Sequence, residues 1–313
     1  MSGPGRPAEN GDGQLLDFAA EVGASDPVTA VGGRTQWTIG GTPDASAREV
    51  RAPAGVVAHE PAEMIVRARA GTTVAELDAV LADGGQAIAF DPADPERATV
   101  GGVLAVGRSG PRRLGWGPVR DALLEARFVS AEGRLIRAGG PVVKNVTGFD
   151  LCRLLVGSLG TLGLLAEVVL RVQPRPPVAV WLRGSVDHPG RIRELLFRPS
   201  SILWDGLATW VLLEGHPADV EAEIAALGAD FEPVPEPPSL PTAGRWSVSP
   251  SVIEDAVAPI TPGTFVAEIG VGIVHSTTVP TQRAVQPANA TLHRRIKANF
   301  DPSGRLNPGR AVA

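Results

Sequence analysis

The chain has 313 residues, 43% hydrophobic and 20% charged, a composition typical of a globular protein of about two domains. The formal net charge of −5 argues against a nucleic-acid-binding protein. The single cysteine, Cys152, cannot form an internal disulfide and cannot alone hold an iron–sulfur cluster or a structural zinc ion. No stretch approaches about 18 uninterrupted apolar residues, and the first residues do not resemble a signal peptide. We therefore expect a cytoplasmic protein, associated with a membrane at most peripherally through partner subunits.

The N-terminal region predicts a tail, a helix, a strand and a glycine-rich turn. Residues 1–14 predict a disordered tail, and Leu15–Ala24 has the apolar spacing of a short amphipathic helix. A strand over Val28–Gly33 runs into the turn V-G-G-R-T-Q-W. Backbone N–H groups in such a turn can cradle a pyrophosphate, although by itself a hairpin turn is the simpler interpretation. The turn matches neither a Walker loop nor a Rossmann fingerprint.

The next segment carries clear secondary-structure signals. Glu63–Ala70 predicts a strand. Thr73 and Glu76 have the spacing of a capping box, which starts a helix that Gly84 ends. Gln86–Phe90 predicts a further strand, which leads into the central glycine-rich region.

The central region, Ala98–Asp121, contains six glycines, two prolines and four arginines. Its glycines allow backbone N–H groups to approach an anion closely, and arginines suit phosphate geometry. Arg112 and Arg113 follow the glycine turn, so a partner surface or a substrate carboxylate is an alternative role for them. A glycine-rich surface loop followed by a strand remains the alternative for the whole stretch.

The region that follows predicts a hairpin and a third glycine-rich turn. Leu123–Ser130 and Arg134–Arg137 flank an Ala-Glu-Gly turn, which predicts two paired strands. Asp150 can cap a short helix ahead of the turn Gly157–Gly163, and Leu164–Val172 predicts the strand that closes the region.

Prolines at 174, 176 and 177 indicate a boundary, and the segment beyond them has the pattern of a small α+β unit. Its predicted strands and helices, with a last helix near the C-terminus, are Val178–Arg183, Arg191–Phe197, Leu207–Leu213, Pro217–Gly228, Thr264–Val274 and Asn289–Phe300.

Four motifs, in this order, resemble the FAD-binding oxidoreductases of the vanillyl-alcohol oxidase/p-cresol methylhydroxylase type. They are V-G-G-R-T-Q at Val31–Gln36, T-V-G-G…S-G-P-R-R…G-P-V-R-D from Thr99, K-N-V-T-G-F-D…G-S-L-G-T-L-G from Lys144, and I-K-A-N-F-D-P-S-G-R-L-N-P-G-R at Ile296–Arg310. Within that group the motifs are similar to those of the FAD-binding E subunits of glycolate oxidases. The resemblance is good over about residues 28–177 and 291–310 and weak between them.

The resemblance implies an α+β fold with a two-part FAD-binding domain of the p-cresol methylhydroxylase type and an inserted small α+β cap domain. The FAD-binding domain would comprise residues 15–175, with a subdomain boundary near residues 90–98. Residues 176–288 would form the cap, and the C-terminal helix and tail, residues 289–313, would return to the FAD-binding domain.

The resemblance also implies the residues that bind FAD. The first loop would hold the pyrophosphate, the second motif would contact phosphate, ribityl and flavin, and the third would meet the adenine-ribose end. The residues are Val31, Gly32, Gly33, Arg34, Thr35, Gln36, Thr99, Val100, Gly101, Gly102, Ser109, Gly110, Gly163, Leu164 and Leu165. Lys144, Asn145 and Asp150 lie in the third motif, where fixing the loop is favoured over touching the flavin.

Departures from the family pattern bear on the chemistry. The early loop has no histidine and Cys152 lies on a predicted helix, so we expect noncovalent FAD. Phe149 and Trp116 stand where tyrosine is usual. Catalytic 2-hydroxy acid dehydrogenases of this type carry H-x-G-D-G-N-x-H, whereas the matching segment here is G-V-G-I-V-H, Gly270–His275. A lone histidine is usually structural, so we expect no metal site and assign no catalytic residue.

These expectations lead to three hypotheses. The first is an FAD-binding subunit of a glycolate (2-hydroxy acid) oxidase, which passes hydride from the substrate to flavin. The second is a non-catalytic FAD-binding or electron-relay subunit whose homologous partner carries the substrate site. The third is another sugar or alcohol oxidase of the same superfamily. The expected partners are a homologous flavoprotein subunit and an iron–sulfur subunit, with the 2-hydroxy acid as the substrate of the complex.

Overall fold

A computed structural model describes residues 12–140, 150–278 and 287–311. Lys144, Asn145 and Phe149 lie outside these residues. The helices are α1 (Asp12–Val22), α2 (Val74–Asp83), α3 (Val100–Val106), α4 (Arg113–Trp116), α5 (Leu151–Leu155), α6 (Gly190–Leu195), α7 (Pro217–Leu227), α8 (Ile253–Val257) and α9 (Pro287–Phe300). The strands are β1 (Val28–Ala30), β2 (Arg48–Val50), β3 (Val56–Glu60), β4 (Ile65–Arg69), β5 (Gln86–Ala87), β6 (Leu123–Val129), β7 (Leu135–Gly139), β8 (Leu164–Arg171), β9 (Gln173–Pro174), β10 (Val178–Gly184), β11 (Ser201–Trp204), β12 (Thr209–Gly215), β13 (Glu232–Val234), β14 (Gly244–Ser247), β15 (Phe265–Glu268) and β16 (Ile273–Ser276).

The described residues form two compact units. The first unit contains the chain as far as Arg108, then Val119–Pro174, and finally α9 with the segment that follows it. The second unit contains Ser109–Pro118 and the chain from Arg175 through β16. The sequence analysis did not predict that residues 109–118 group with the second unit. Among the described helices, none has the length and apolar character needed to cross a membrane.

The first unit is built on an antiparallel sheet in the order β3-β4-β8-β6-β7. Its central strand β8 is buried along almost its whole length, and apolar side chains of α2 and α3, such as Leu77 and Leu104, share a core with the sheet. The buried Glu167 on β8 is paired with Arg69 at 2.5 Å and Arg67 at 3.0 Å. These pairs compensate the cost of burying the carboxylate in the sheet.

The second unit is built on a seven-stranded antiparallel sheet in the order β13-β10-β12-β11-β15-β16-β14. Its core joins alternate strand residues, such as Ile202 and Ala267, with side chains of α6, α7 and α8. The segment containing α4 packs against this sheet, because Gly115 N donates to Ser200 O at 3.2 Å.

Several local predictions are confirmed. Both hydrogen bonds of the Thr73–Glu76 capping box are present at the start of α2. The predicted hairpin forms between β6 and β7. Asp150 caps α5 by accepting from Arg153 N at 3.1 Å, and Gly228 ends α7 with a φ of 80°.

Other predictions need correction. The T-V-G-G stretch is not a loop but the start of helix α3, which Thr99 caps. The strand predicted over Gln86–Phe90 is only the two residues of β5. Helix α1 begins at Asp12, inside the predicted tail, where that carboxylate pairs with Arg127 at 2.6 Å. A negatively charged side chain at a helix N-terminus also interacts favourably with the helix dipole.

Candidate cofactor-binding cleft

The first glycine-rich loop presents a run of unpaired backbone donors. Val31 N still pairs with Val50 O at 2.9 Å, but none of the five N–H groups from Gly32 to Gln36 donates a hydrogen bond to a described residue. Within the run, Arg34 has a φ of 57°. Successive N–H groups around a left-handed residue form an anion-binding nest. This loop therefore has the geometry expected of a pyrophosphate cradle.

The glycines of the first loop are required by its contact with the second motif. A Cβ on Gly33 would lie 1.6 Å from Arg97 O, and one on Gly32 would lie 2.3 Å from Thr99 Oγ1. The side chain of Arg97 also donates to Gly33 O at 3.1 Å. The two motifs therefore lie backbone to backbone, which no larger residue would permit without a shift.

Two backbone N–H groups of the second motif are already hydrogen-bonded inside the protein, so the motif lines the cleft mainly through its surface. Val100 N donates to Thr72 O at 2.9 Å, and Gly101 N donates to Ala70 O at 2.8 Å. The side chain of Val100 is fully buried in the core of the first unit and does not line the cleft. Both the amide and the side chain of Val100 are therefore used inside the protein, and its contact with the cofactor stays a prediction.

The third loop is anchored on α3. Gly157 N donates to Leu104 O at 3.0 Å, and Leu159 N donates to Ala105 O at 2.8 Å. A Cβ on Gly163 would lie 2.4 Å from the Phe128 ring, so only glycine lets the chain pass that ring before β8.

The three loops line one partly open cleft in the first unit. Its lining includes two arginines, Arg34 and Arg310, and no aspartate or glutamate among the described residues. Apolar side chains such as Trp37, Val103 and Leu155 form much of the wall. The predicted site residues that line the cleft are Val31, Gly32, Gly33, Arg34, Thr35, Gln36, Thr99, Gly101, Gly102, Gly163, Leu164 and Leu165.

These features fit FAD. A dianionic pyrophosphate suits N–H groups that lack partners among the described residues, and two flat ring systems suit apolar walls. Of the two lining arginines, Arg34 also pairs with Glu49, which is not itself a lining residue. Two further lining residues, Asn307 and Arg310, were not assigned from the sequence. Their signal was the closing L-N-P-G-R, which the resemblance identified without giving it a role.

Ser109 and Gly110 are not among the residues that line this cleft, and their expected contact with the ribityl and flavin region stays a prediction. Both residues belong to the segment Ser109–Pro118, which groups with the second unit. There Trp116 Nε1 donates to Glu214 Oε2 at 2.7 Å. Arg112 stacks over the Trp116 ring at 5.0 Å and lies 3.7 Å from Glu214 Oε1. These long-range contacts hold the segment on β12, and no local pattern indicated them.

A charged cluster lies on the sheet of the second unit. His275 Nε2 and Glu268 Oε1 are 2.7 Å apart, and Glu268 Oε2 is buried without a hydrogen-bond partner among the described residues. Arg245 stands directly opposite His275 on β14. Burial lowers the pKa of the Arg245 guanidinium, Glu268 opposes that shift, and Arg113 adds to it. No group of three potential metal ligands occurs among the described residues.

Cys152 lies on α5 with its side chain in the core of the first unit. Burial raises the pKa of its thiol to about 11, and the nearby Asp150 charge adds to that rise. Nucleophilic attack requires the thiolate, so this cysteine is unreactive at neutral pH.

Comparison with known proteins identifies the class. The family described as the FAD binding domain matches residues 14–139, and the C-terminal domain of FAD linked oxidases matches residues 257–311. Alkyldihydroxyacetonephosphate synthase is similar in structure with a TM-score of 0.67 at 17% identity, over 96% of this chain and 75% of that one. A carbohydrate oxidase from Microdochium nivale gives a TM-score of 0.64 at 14% identity, over 95% and 88%. The fold is thus the two-part FAD-binding fold of FAD-linked oxidases.

Sequence relatives narrow the class. The glycolate oxidase subunit GlcE of Escherichia coli (strain K12) is 32% identical, over 92% of this chain and 93% of its own length. A D-lactate dehydrogenase of Archaeoglobus fulgidus is 39% identical, but over only 34% of this chain and 24% of its own length. The chain therefore belongs to the family of FAD-linked oxidases that includes this glycolate oxidase subunit, and its cofactor is FAD.

Proposed function

We propose that this protein is the FAD-binding subunit of a glycolate (2-hydroxy acid) oxidase. The observation that carries the proposal is the cleft of the first unit, where five N–H groups have no partner among the described residues and two arginines, but no described aspartate or glutamate, line the wall. The similarity to a glycolate oxidase subunit along almost its whole length supports the assignment to that reaction. Bound FAD supplies the hydride acceptor for oxidation of the α-hydroxyl group.

In this proposal each loop has a separate task. The N–H groups from Gly32 to Gln36 hold the pyrophosphate. Thr99, Gly101 and Gly102 provide a smooth wall, and Gly163–Leu165 receive the adenine-ribose end. The cofactor is held noncovalently, because the first loop has no histidine and Cys152 is a buried thiol.

The second candidate function is a non-catalytic FAD-binding or electron-relay subunit whose homologous partner carries the substrate site. The charged cluster of the second unit favours it, since His275 is already paired with Glu268 and lacks further potential metal ligands among the described residues. A sugar or alcohol oxidase of the same superfamily is the third candidate. We propose a homologous flavoprotein subunit and an iron–sulfur subunit as partners, in the cytoplasm.

One experiment separates these functions. The chain is purified with its partners as wild type and as His275→Ala and Arg245→Ala, and glycolate-dependent dye reduction is measured with the FAD content. A subunit that binds substrate itself loses at least about a hundredfold in rate while keeping FAD. Unchanged rates favour the relay function. Acid precipitation then tests the bond to FAD, because noncovalent flavin stays in the supernatant.

A further inference from the structure

The C-terminal segment after α9 joins the small sheet that leads into the first loop. Val28 N donates to Arg305 O at 2.9 Å, and Asn307 N donates to Val28 O at 2.8 Å. Leu306 forms an isolated parallel bridge with Val28. Residues at the far end of the sequence thus lie beside β1, the strand that delivers the first loop.

The side chain of Asn307 links the first and third loops. Its Oδ1 accepts from Ala30 N at 2.9 Å, immediately before the first loop. Its Nδ2 donates to Leu159 O at 2.6 Å, in the third loop. The residue is 6% exposed, lines the cleft and has a φ of 45°. Asparagine tolerates this left-handed conformation and supplies both an acceptor and a donor.

The third loop is shaped around this side chain. Leu159 has a φ of 54°, which a bulky residue adopts only when its surroundings hold it there. A Cβ on Gly160 would lie 2.4 Å from Asn307 Nδ2. The contact between Asn307 and the third loop is therefore close enough to require a glycine next to Leu159.

A second side chain of the same segment holds the turn beyond the first loop. Arg310 Nη1 donates to the carbonyls of Trp37, Ile39 and Gly41, the last at 2.7 Å. Its guanidinium also lies 4.7 Å from the centre of the Trp37 ring. The C-terminal segment thus contacts the first loop at both of its ends.

We propose that Asn307 is a positioning residue that sets the spacing between the first and third loops, so that FAD binding and docking of the C-terminal segment stabilise each other. The coupling is reciprocal, because two events that favour the same arrangement must raise each other's equilibrium constants equally. The inference rests on the proposed placement of FAD in this cleft.

The test compares Asn307→Asp with two controls in the full-length chain. The aspartate keeps the acceptor for Ala30 N but places an oxygen against Leu159 O and a negative charge in the cleft. Asn299→Asp makes the same change at an exposed position on α9. Glu167→Gln weakens the buried ion pairs to Arg67 and Arg69 in the sheet, and it alters neither a lining residue nor the C-terminal segment.

The dissociation constant of FAD is measured by fluorescence titration of apoprotein, with the apoprotein melting temperature alongside. We expect Asn307→Asp to weaken FAD binding at least tenfold. Asn299→Asp should match wild type, and Glu167→Gln should lower the melting temperature with less than a threefold change in affinity. Wild-type affinity in Asn307→Asp overturns the inference. An equal loss in Glu167→Gln also overturns it, because general destabilisation would then explain the effect.

Hydrogen exchange of the wild-type chain keeps the inference testable if Asn307→Asp does not fold. FAD should slow amide hydrogen exchange in Leu306–Arg310 at least tenfold. An exchange rate that does not change when FAD is added overturns the coupling. Failure of the cleft itself is distinguishable, because Gly33→Ala would then also leave FAD affinity unchanged. If Gly33→Ala weakens binding and Asn307→Asp does not, only the role of Asn307 fails.

Discussion

Replacing Gly33 with alanine tests whether contact between the first two motifs shapes the cofactor cleft. The new Cβ would lie 1.6 Å from Arg97 O, and contacts under 3.0 Å essentially never occur, so the backbones must separate by about 1.4 Å. Overpacking of this kind costs about 1–3 kcal/mol. Because the displaced atoms belong to the run of free N–H groups, we expect that cost to weaken FAD binding by about 5- to 150-fold.

The assay is a fluorescence titration of apoprotein with FAD, combined with thermal unfolding of both forms. Gly13→Ala is the matched control, since nothing lies within 4 Å of a Cβ at that position and it is on helix α1. The control should bind FAD normally and should be slightly more stable, because alanine favours a helix over glycine by about 1 kcal/mol. Unchanged FAD affinity in Gly33→Ala would refute the placement of the pyrophosphate beside this loop.

Three further predictions concern stability and reactivity. Glu167→Gln should lower the free energy of unfolding by about 3–5 kcal/mol in urea titrations, because it leaves Arg67 and Arg69 partly uncompensated, whereas the exposed Glu96→Gln should have little effect. Cys152 should resist alkylation at pH 8 in the folded protein, since its pKa is raised to about 11, and should react once urea unfolds the chain. The net shift in the pKa of Asp301 is downward: burial opposes it, but hydrogen bonds from Lys297 and the Leu306 and Arg305 amides outweigh burial. That carboxylate therefore contributes stability above its ordinary pKa of 3.8, which is lost as pH falls through the lower folded value. Asp301→Asn should flatten the decline in melting temperature over that acidic range; an unchanged decline would contradict the assignment.

The sequence predicted local structure where neighbouring residues supply the stabilising contacts. The Thr73–Glu76 capping box is an example, because both partners lie within one helical turn. Helix α3 was missed because its two glycines disfavour a helix, and backbone bonds to Thr72 and Ala70 from a distant strand end hold its first turn. Helix propensity and hydrophobic periodicity cannot predict such tertiary contacts.

Long-range contacts also explain which site residues could not be predicted. Trp116 is held by Glu214, 98 positions away, so that its segment groups with the second unit, which its neighbours in the sequence could not indicate. Asn307 reaches Ala30 over 277 positions and Leu159 over 148, so its role could not follow from its neighbours in the sequence. The resemblance to FAD-binding proteins identified both segments but gave the geometry of neither.

Glycines of this cleft either allow backbones to pack closely or leave N–H groups free for an anion, and the glycine-rich sequence pattern is the same in both cases. Gly33 and Gly163 are needed because a Cβ would strike Arg97 and Phe128, so their first role is to let loops and sheet meet closely. That close packing uses the amide of Gly101, whose N–H is bonded to Ala70 O, and leaves the first loop with its donors free. Under the proposed function we therefore expect anion binding to be concentrated in the first loop, while the second and third motifs fix where that loop lies. Substitutions in the first loop should change affinity for the pyrophosphate directly, and substitutions in the other two should change it through the position of the first.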